Sequence, residues 1–396
     1  MLSVSGYLLE GAFFVYLIAT ILSWVSFSTK KKEDNSSPKW QLVTILISIF
    51  GLILQIGYFI TRWIAVDHIP VSNMFEFTTL FGMMLVFAYI LLYFFYRTII
   101  LGLFALPTAL SIIAFASVFP KEASPLVPSL QSYWLNIHVT TAALGEGILA
   151  ISFIAGLAYL LKMVDQSKKS IKTFLIEFIF YAMISTFSFA IVAFFFNTIS
   201  YETTFKWNDT KGQELTVKYN MLPIVGPNGS SIVDGSYDYK PIIEVPKWMK
   251  GVNASRKLNS LIWSLSLGLV IYLLIRLFIR KRIGKVIQPL LKNIKPSLLD
   301  EINNRSVIIG FPIFTLGALV FAMIWAQEAW TRFWGWDPKE VWALITWLFY
   351  AAYLHLRLGR GWEGEKSAWL AVIGFVIIMF NLVVVNLVIA GLHSYA

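Results

Sequence analysis

Four histidines are the only imidazoles in the chain, and two of them, His138 and His393, stand where they could do chemistry on a metal. His138 opens one apolar stretch just after Trp134, and His393 closes the last one. Between them in sequence runs Trp325-Ala-Gln-Glu-Ala-Trp-Thr-Arg-Phe-Trp-Gly-Trp-Asp-Pro-Lys-Glu340, which contributes Trp325, Trp330, Trp334 and Trp336. If these segments meet at one membrane boundary, two imidazoles face each other at one depth beside a bank of indoles. An iron porphyrin needs such surroundings, with an apolar aromatic floor for the macrocycle and an axial nitrogen on each side of the iron. Its acidic side arms would seek cations such as Arg332 or Lys339.

Each feature also has a plainer reading. Tryptophans gather at bilayer interfaces as anchors, and an interfacial histidine is often structural. An anchor, however, places its aromatics on the span and its charges beyond them, whereas Arg332, Asp337 and Lys339 interrupt this tryptophan run. Polar side chains near a membrane are costly and so become functional candidates. Spacing alone leaves the pair His138 and His393 equally readable as ligands or as structural groups. His355 lies roughly 28 Å deeper than Trp336 on a helical rise of about 1.5 Å per residue, as a helix-end histidine beside Arg357 or as an inner iron ligand. His68 reads as structural, in a turn where Ser72 or Asn73 caps the next helix. Glu146 and Glu177 fall within spans, lining the bundle interior or staying protonated, with their role open.

The elements that must position these residues are membrane helices. The 396 residues are 58% hydrophobic and only 14% charged, with a mean hydropathy of +0.70, far from the balance of a soluble domain. Apolar runs at 7–27, 40–64, 74–96, 98–118, 135–161, 174–196, 258–279, 307–325, 341–356 and 368–392 predict about ten spans, each near the ~20 residues that cross ~30 Å of hydrocarbon. The fold class is therefore all-α, a polytopic transmembrane bundle. Residues 1–199 form its first set of helices, residues 258–396 its second, and 200–257 a small external lobe. That lobe is polar, turns at Gly226-Pro227-Asn228-Gly229, and carries short alternating stretches, so it reads as β-rich. No repeat of solenoid length is visible.

A net charge of +10 could suggest nucleic acid, but the lysines and arginines cluster in short loops, as orientation signals do. Residues 30–32, 162–172, 280–295 and 357–366 place one side in the cytoplasm. The segment around His68, residues 120–134, the lobe, the tryptophan segment and both termini then face outward. The first run lacks a basic leader and a small-residue cleavage site, and reads as a retained helix. With no cysteine, the chain cannot relay thiols, so any thiol chemistry belongs to a partner.

The stretch Trp-Ala-x-Glu-Ala-Trp-x-x-Phe-Trp-x-Trp-Asp-Pro-Lys-Glu resembles the tryptophan-rich WWD signature of heme-handling proteins. With Trp134-Leu-Asn-Ile-His138-Val, His68-Ile-Pro70-x-Ser-Asn73 and the ending Gly391-Leu-His393-Ser-Tyr-Ala, the chain resembles, from about residue 60 onward, the CcsA/ResC-type subunits of System II cytochrome c maturation. The resemblance implies heme b as cargo, His138 and His393 as external axial ligands, and His355 as a ligand of a second, intramembrane heme site. It implies that Trp325, Trp330, Trp334 and Trp336, with Arg332 and Asp337, hold heme at the outer face of a bacterial plasma membrane. It also implies a CcsB/ResB-type membrane subunit, apocytochrome c and thiol-reducing proteins as partners, the two-subunit complex forming the thioether bonds. Heme would enter near His355, move outward and wait between His138 and His393 for a Cys-x-x-Cys-His segment. The sequence departs from the pattern twice: Thr331 stands where the family usually has glycine, and residues 200–257 look like an insertion. Two rival readings are a b-type electron carrier, which would want histidine pairs at matched depth, and a transporter of another solute, which would want repeat halves.

Overall fold

The computed structural model describes residues 1–29, 37–98, 100–117, 119, 121, 131–208, 214–235, 239–246, 249 and 254–385. Its helices are α1 (Leu2–Thr29), α2 (Ser37–Val66), α3 (Met74–Tyr96), α4 (Ile100–Ala116), α5 (Tyr133–Met163) and α6 (Ile171–Thr198). After a small β lobe come α7 (Ala254–Ile279), a short α8 (Ile283–Ile287), α9 (Pro296–Trp330), α10 (Pro338–Arg360) and α11 (Glu365–Val385). Among the described residues nine of these helices are long and apolar enough to cross a membrane, and α4 is a shorter apolar helix. The chain is a multi-pass membrane protein, its ten apolar helices matching the ten predicted spans.

Exposure follows the two solvents of a bilayer protein. α1 and α2 show Phe14, Ile18, Ile21, Leu46, Phe50 and Ile53 on their outward faces, as hydrocarbon contact requires. α4 is apolar all round and nearly all buried, the signature of a helix wrapped by its neighbours. With little hydrophobic drive between helices inside lipid, small residues and buried hydrogen bonds hold the bundle. Tyr16 donates to Gln55 (2.9 Å), and Gln55 donates to the Thr79 carbonyl (3.0 Å), joining α1, α2 and α3. α5 and α9 touch backbone to backbone: a β-carbon on Gly145 would lie 2.6 Å from the Phe314 nitrogen.

The predicted basic loops at 162–172, 280–295 and 357–366 gather at one end, while 30–32 lies outside the described residues. Lys162 donates to the Leu291, Lys292 and Ile294 carbonyls, and Lys172 pairs with Glu365 at 2.6 Å. There Asp300 on α9 grips Arg357 of α10 through two 2.7 Å bonds and accepts from the Gly364 amide and Ser367, so one carboxylate ties α9, α10 and α11. Glu177 holds α8 by accepting from the Gly284 amide (2.8 Å) and from Tyr272 (2.7 Å), which makes it a structural carboxylate.

The lobe stands at the other end and is β-rich, as predicted. Strands β1 (Thr203–Asn208), β2 (Glu214–Tyr219) and β4 (Ser231–Gly235) form an antiparallel sheet in the order β2-β1-β4. β3 (Val225–Gly226) and β5 (Ile243–Glu244) pair in parallel. Asn259 on α7 accepts from the Ile224 and Val225 amides and docks the lobe on the bundle.

Candidate functional site

Next to the tryptophan segment, α3, α5, α9, α10 and α11 enclose a cleft lined mainly by apolar side chains, with His138, Glu146, Trp325, Trp334, Lys339 and Glu340 in its walls. Two contacts among the described residues set His138. Its Nδ1 donates to the Gly317 carbonyl at 2.9 Å, and its ring lies 5.6 Å from the Trp325 ring at 15°, a stacked pair. A carbonyl only accepts, so Nδ1 carries a proton, and in the neutral ring the electron pair is on Nε2, the state a metal ligand requires.

The partner carbonyl has a local cause. α9 widens into a π-helical segment at Leu316–Phe321, and such a turn takes carbonyls out of the regular ladder. Gly317 lies within it, against α5, where a β-carbon would lie 2.7 Å from the Ala142 α-carbon. The close approach and the released carbonyl thus bring α9 under His138. On α5, Ser132 caps the helix six residues before His138 and accepts from the Trp134 amide while donating to Glu328 of α9 (2.9 Å).

The tryptophan segment is a turn held by its own acids. Asp337 caps α10 by accepting from the Lys339 amide. Glu340 folds back to accept from the Gly335 (2.7 Å) and Asp337 (3.1 Å) amides. Asp337-Pro-Lys-Glu340 is therefore a capping box, a pattern visible in the sequence. Thr331 and Trp336 both take left-handed backbone (φ 56 and 58), which favours glycine and strains a side chain. Thr331 is the position where the sequence resemblance expects glycine.

The opposite wall belongs to the turn before α3. Asn73 accepts from the Glu76 amide and caps the helix, as predicted. Glu76 also accepts from the Ser72 amide and hydroxyl and pairs with Arg62 at 2.7 Å, both side chains buried. Arg62 reaches on to the Lys121 carbonyl, so this pair fixes the cleft wall to α2. His68 bonds only its neighbouring carbonyl, Ile69, among the contacts of its ring described here.

The expected site residues therefore divide. Trp325 is 2% exposed and packs under His138. Trp330 stands 4.8 Å from it, edge to face, and Trp334 lines the cleft with Trp336 edge-on at 6.0 Å. Trp336 is 71% exposed. Arg332 is exposed with its guanidinium folded over Gly335, outside the cleft lining, whereas Lys339 is within it. His355 is exposed on the last turns of α10 and does not line the cleft. His393 lies outside the described residues; α11, which precedes it, lines the cleft with Asn381 and Leu382. Gly317 and Glu340 were not foreseen as site residues.

Comparison with known proteins agrees with this architecture. A family model for cytochrome C assembly proteins matches residues 71–210 and 260–393. A cytochrome c biogenesis protein CcsA from Pyropia yezoensis is 30% identical over 98% of this chain and 96% of its own length. Proteins of the same name from Gloeobacter violaceus (28%; 98% and 94%) and Prochlorococcus marinus (30%; 97% and 90%) are similar over almost the same extent. The matched stretches enclose every described wall of the cleft, and the chain belongs to the cytochrome c assembly protein family, as a CcsA-type cytochrome c biogenesis protein.

Proposed function

We propose that the cleft holds heme b, with His138 as one axial ligand, and presents it for covalent attachment to apocytochrome c. The observation that carries this reading is the His138 imidazole, whose Nδ1 is committed to Gly317 and whose ring is braced on Trp325, leaving Nε2 as the basic nitrogen. A histidine held this way has the tautomer and orientation fixed by a second contact, as metal-ligating histidines do. The surrounding aromatics supply an apolar floor of the kind a macrocycle needs. His393 is the proposed opposing ligand.

His355 is proposed as the ligand of a second heme on the basic side. Its exposure on α10 suits a site completed by another membrane subunit, of CcsB/ResB type. The basic end faces the cytoplasm in this reading, and the lobe faces the compartment where apocytochrome arrives. Apocytochrome brings both thiols. Each S–H adds across a heme vinyl group, the sulfur bonding carbon and the proton completing the neighbouring carbon, and the incoming histidine replaces one imidazole of this chain.

The test is cytochrome c assembly in cells carrying His138→Ala, His393→Ala or His355→Ala, with and without imidazole in the medium. The reading expects assembly to fall in each variant and added imidazole to restore part of it, since a free ligand can fill the emptied axial position. Full assembly in all three without imidazole overturns it.

A further inference from the structure

Glu146 and Glu340 line the cleft and Asp337 adjoins it in the tryptophan turn, yet two of these three acids are already engaged. Asp337 and Glu340 accept from backbone amides of the tryptophan turn and the first turn of α10. The third, Glu146, lies two helical turns from His138 along α5, about 12 Å away on a rise of ~1.5 Å per residue. Lys339 also lines the cleft, belongs to no ion pair among the described residues, and has Asp337 as the acid acting on it. Beside it Trp334 lines the same cleft, and its indole N–H is buried with no hydrogen-bond partner among the described residues. An unpartnered buried donor is destabilising, and an ammonium lining the same cleft adds to the demand for an acceptor.

We infer that Lys339 and the Trp334 indole N–H form a subsite for a carboxylate of the ligand in the cleft. This rests on the heme reading, in which the carboxylate is a propionate. One group would accept from Nζ and Nε1 together, and the N-terminal end of α10 adds to the favourable field. Such a contact fixes the rotation of the porphyrin about the axis through His138, and with it the direction in which the vinyl groups point. Arg332, the other cation of the segment, is excluded by its position over Gly335.

The experiment compares heme with heme dimethyl ester, which keeps iron and vinyl groups but has no free carboxylate, in titrations of the purified full chain followed by absorption. Wild type is expected to bind heme about ten-fold more tightly than the ester, as a charge-assisted bond in a partly dry site provides. Lys339→Met should bring the two within about two-fold while retaining the His138-dependent spectrum, and Lys339→Arg should keep the preference. Trp334→Phe should reduce it by a smaller factor. Equal weakening of heme and ester by Lys339→Met, or an undiminished preference in it, overturns the inference while the heme reading stands. Absence of His138-dependent binding of either porphyrin overturns both.

Discussion

Gly317→Ala isolates the device that orients His138. The added β-carbon would lie 2.7 Å from the Ala142 α-carbon and 2.7 Å from the Thr141 carbonyl carbon, both backbone atoms of α5 that cannot swing aside. The helices must part, and forcing atoms into a packed contact of this kind costs about 1–3 kcal/mol. Parting them also stretches the 2.9 Å bond between His138 Nδ1 and the Gly317 carbonyl, with a further loss of about 1 kcal/mol. The sum, ~2–4 kcal/mol, should appear partly as a lower melting temperature and partly as heme affinity reduced about five- to ten-fold. Gly310→Ala is the control on the same helix pair, because its β-carbon meets nothing nearer than 3.0 Å, the Leu149 Cγ at 3.0 Å and its nitrogen at 3.1 Å, a contact that a few tenths of an ångström relieve. Thermal melts and heme titrations on both purified variants decide the matter. Gly317→Ala with wild-type affinity and an unchanged spectrum, or Gly310→Ala with the same affinity loss, would refute the positioning argument.

Other consequences can be checked separately. Thr331→Gly should raise stability by about 1 kcal/mol, since a β-branched residue is relieved of left-handed backbone at the end of α9, and melting experiments would register it. Arg62→Met should cost about 3–5 kcal/mol by stranding the buried Glu76 carboxylate, and combining it with Glu76→Gln should recover much of that loss. In the lobe, burial pushes the Tyr219 phenol above its ordinary value near 10, against smaller opposing effects of Ser255 and Arg256. The folded state therefore binds that proton more tightly, so the lobe keeps this stability below about pH 10 and loses it as pH rises further. Tyr219→Phe should flatten the alkaline decline, read by circular dichroism of the lobe signal against tyrosinate absorbance.

The apolar runs foretold the ten helices because hydrocarbon imposes length and composition on any span. They understated α9, predicted at 307–325 and observed from Pro296, because Asp300, Glu301, Asn303 and Arg305 make its first turns read as a polar loop. The short helix Ile283–Ile287 was hidden for the same reason within a basic stretch. In the lobe, alternation at 215–219 and 242–245 marked β2 and β5, while β1, β3 and β4 were not marked. At the site, Asp337 and Glu340 have the spacing of a capping box, which the sequence reading passed over when it gave Asp337 to cofactor binding. The His138–Gly317 bond was not legible, since nothing in Leu316–Phe321 marks a π-helical turn and the carbonyl finds its donor 179 residues away. The stacking of Trp325 beneath His138 was not legible either, since the two rings come together from distant parts of the chain.

The central claim is that His138 binds heme iron in this cleft, and the most direct measurement is the absorption spectrum of the purified chain titrated with heme, for wild type and His138→Ala, with and without imidazole. The account predicts a low-spin, nitrogen-ligated spectrum in wild type, its loss or weakening in His138→Ala, and its return when imidazole fills the emptied position. An identical spectrum and affinity in His138→Ala without imidazole would contradict it.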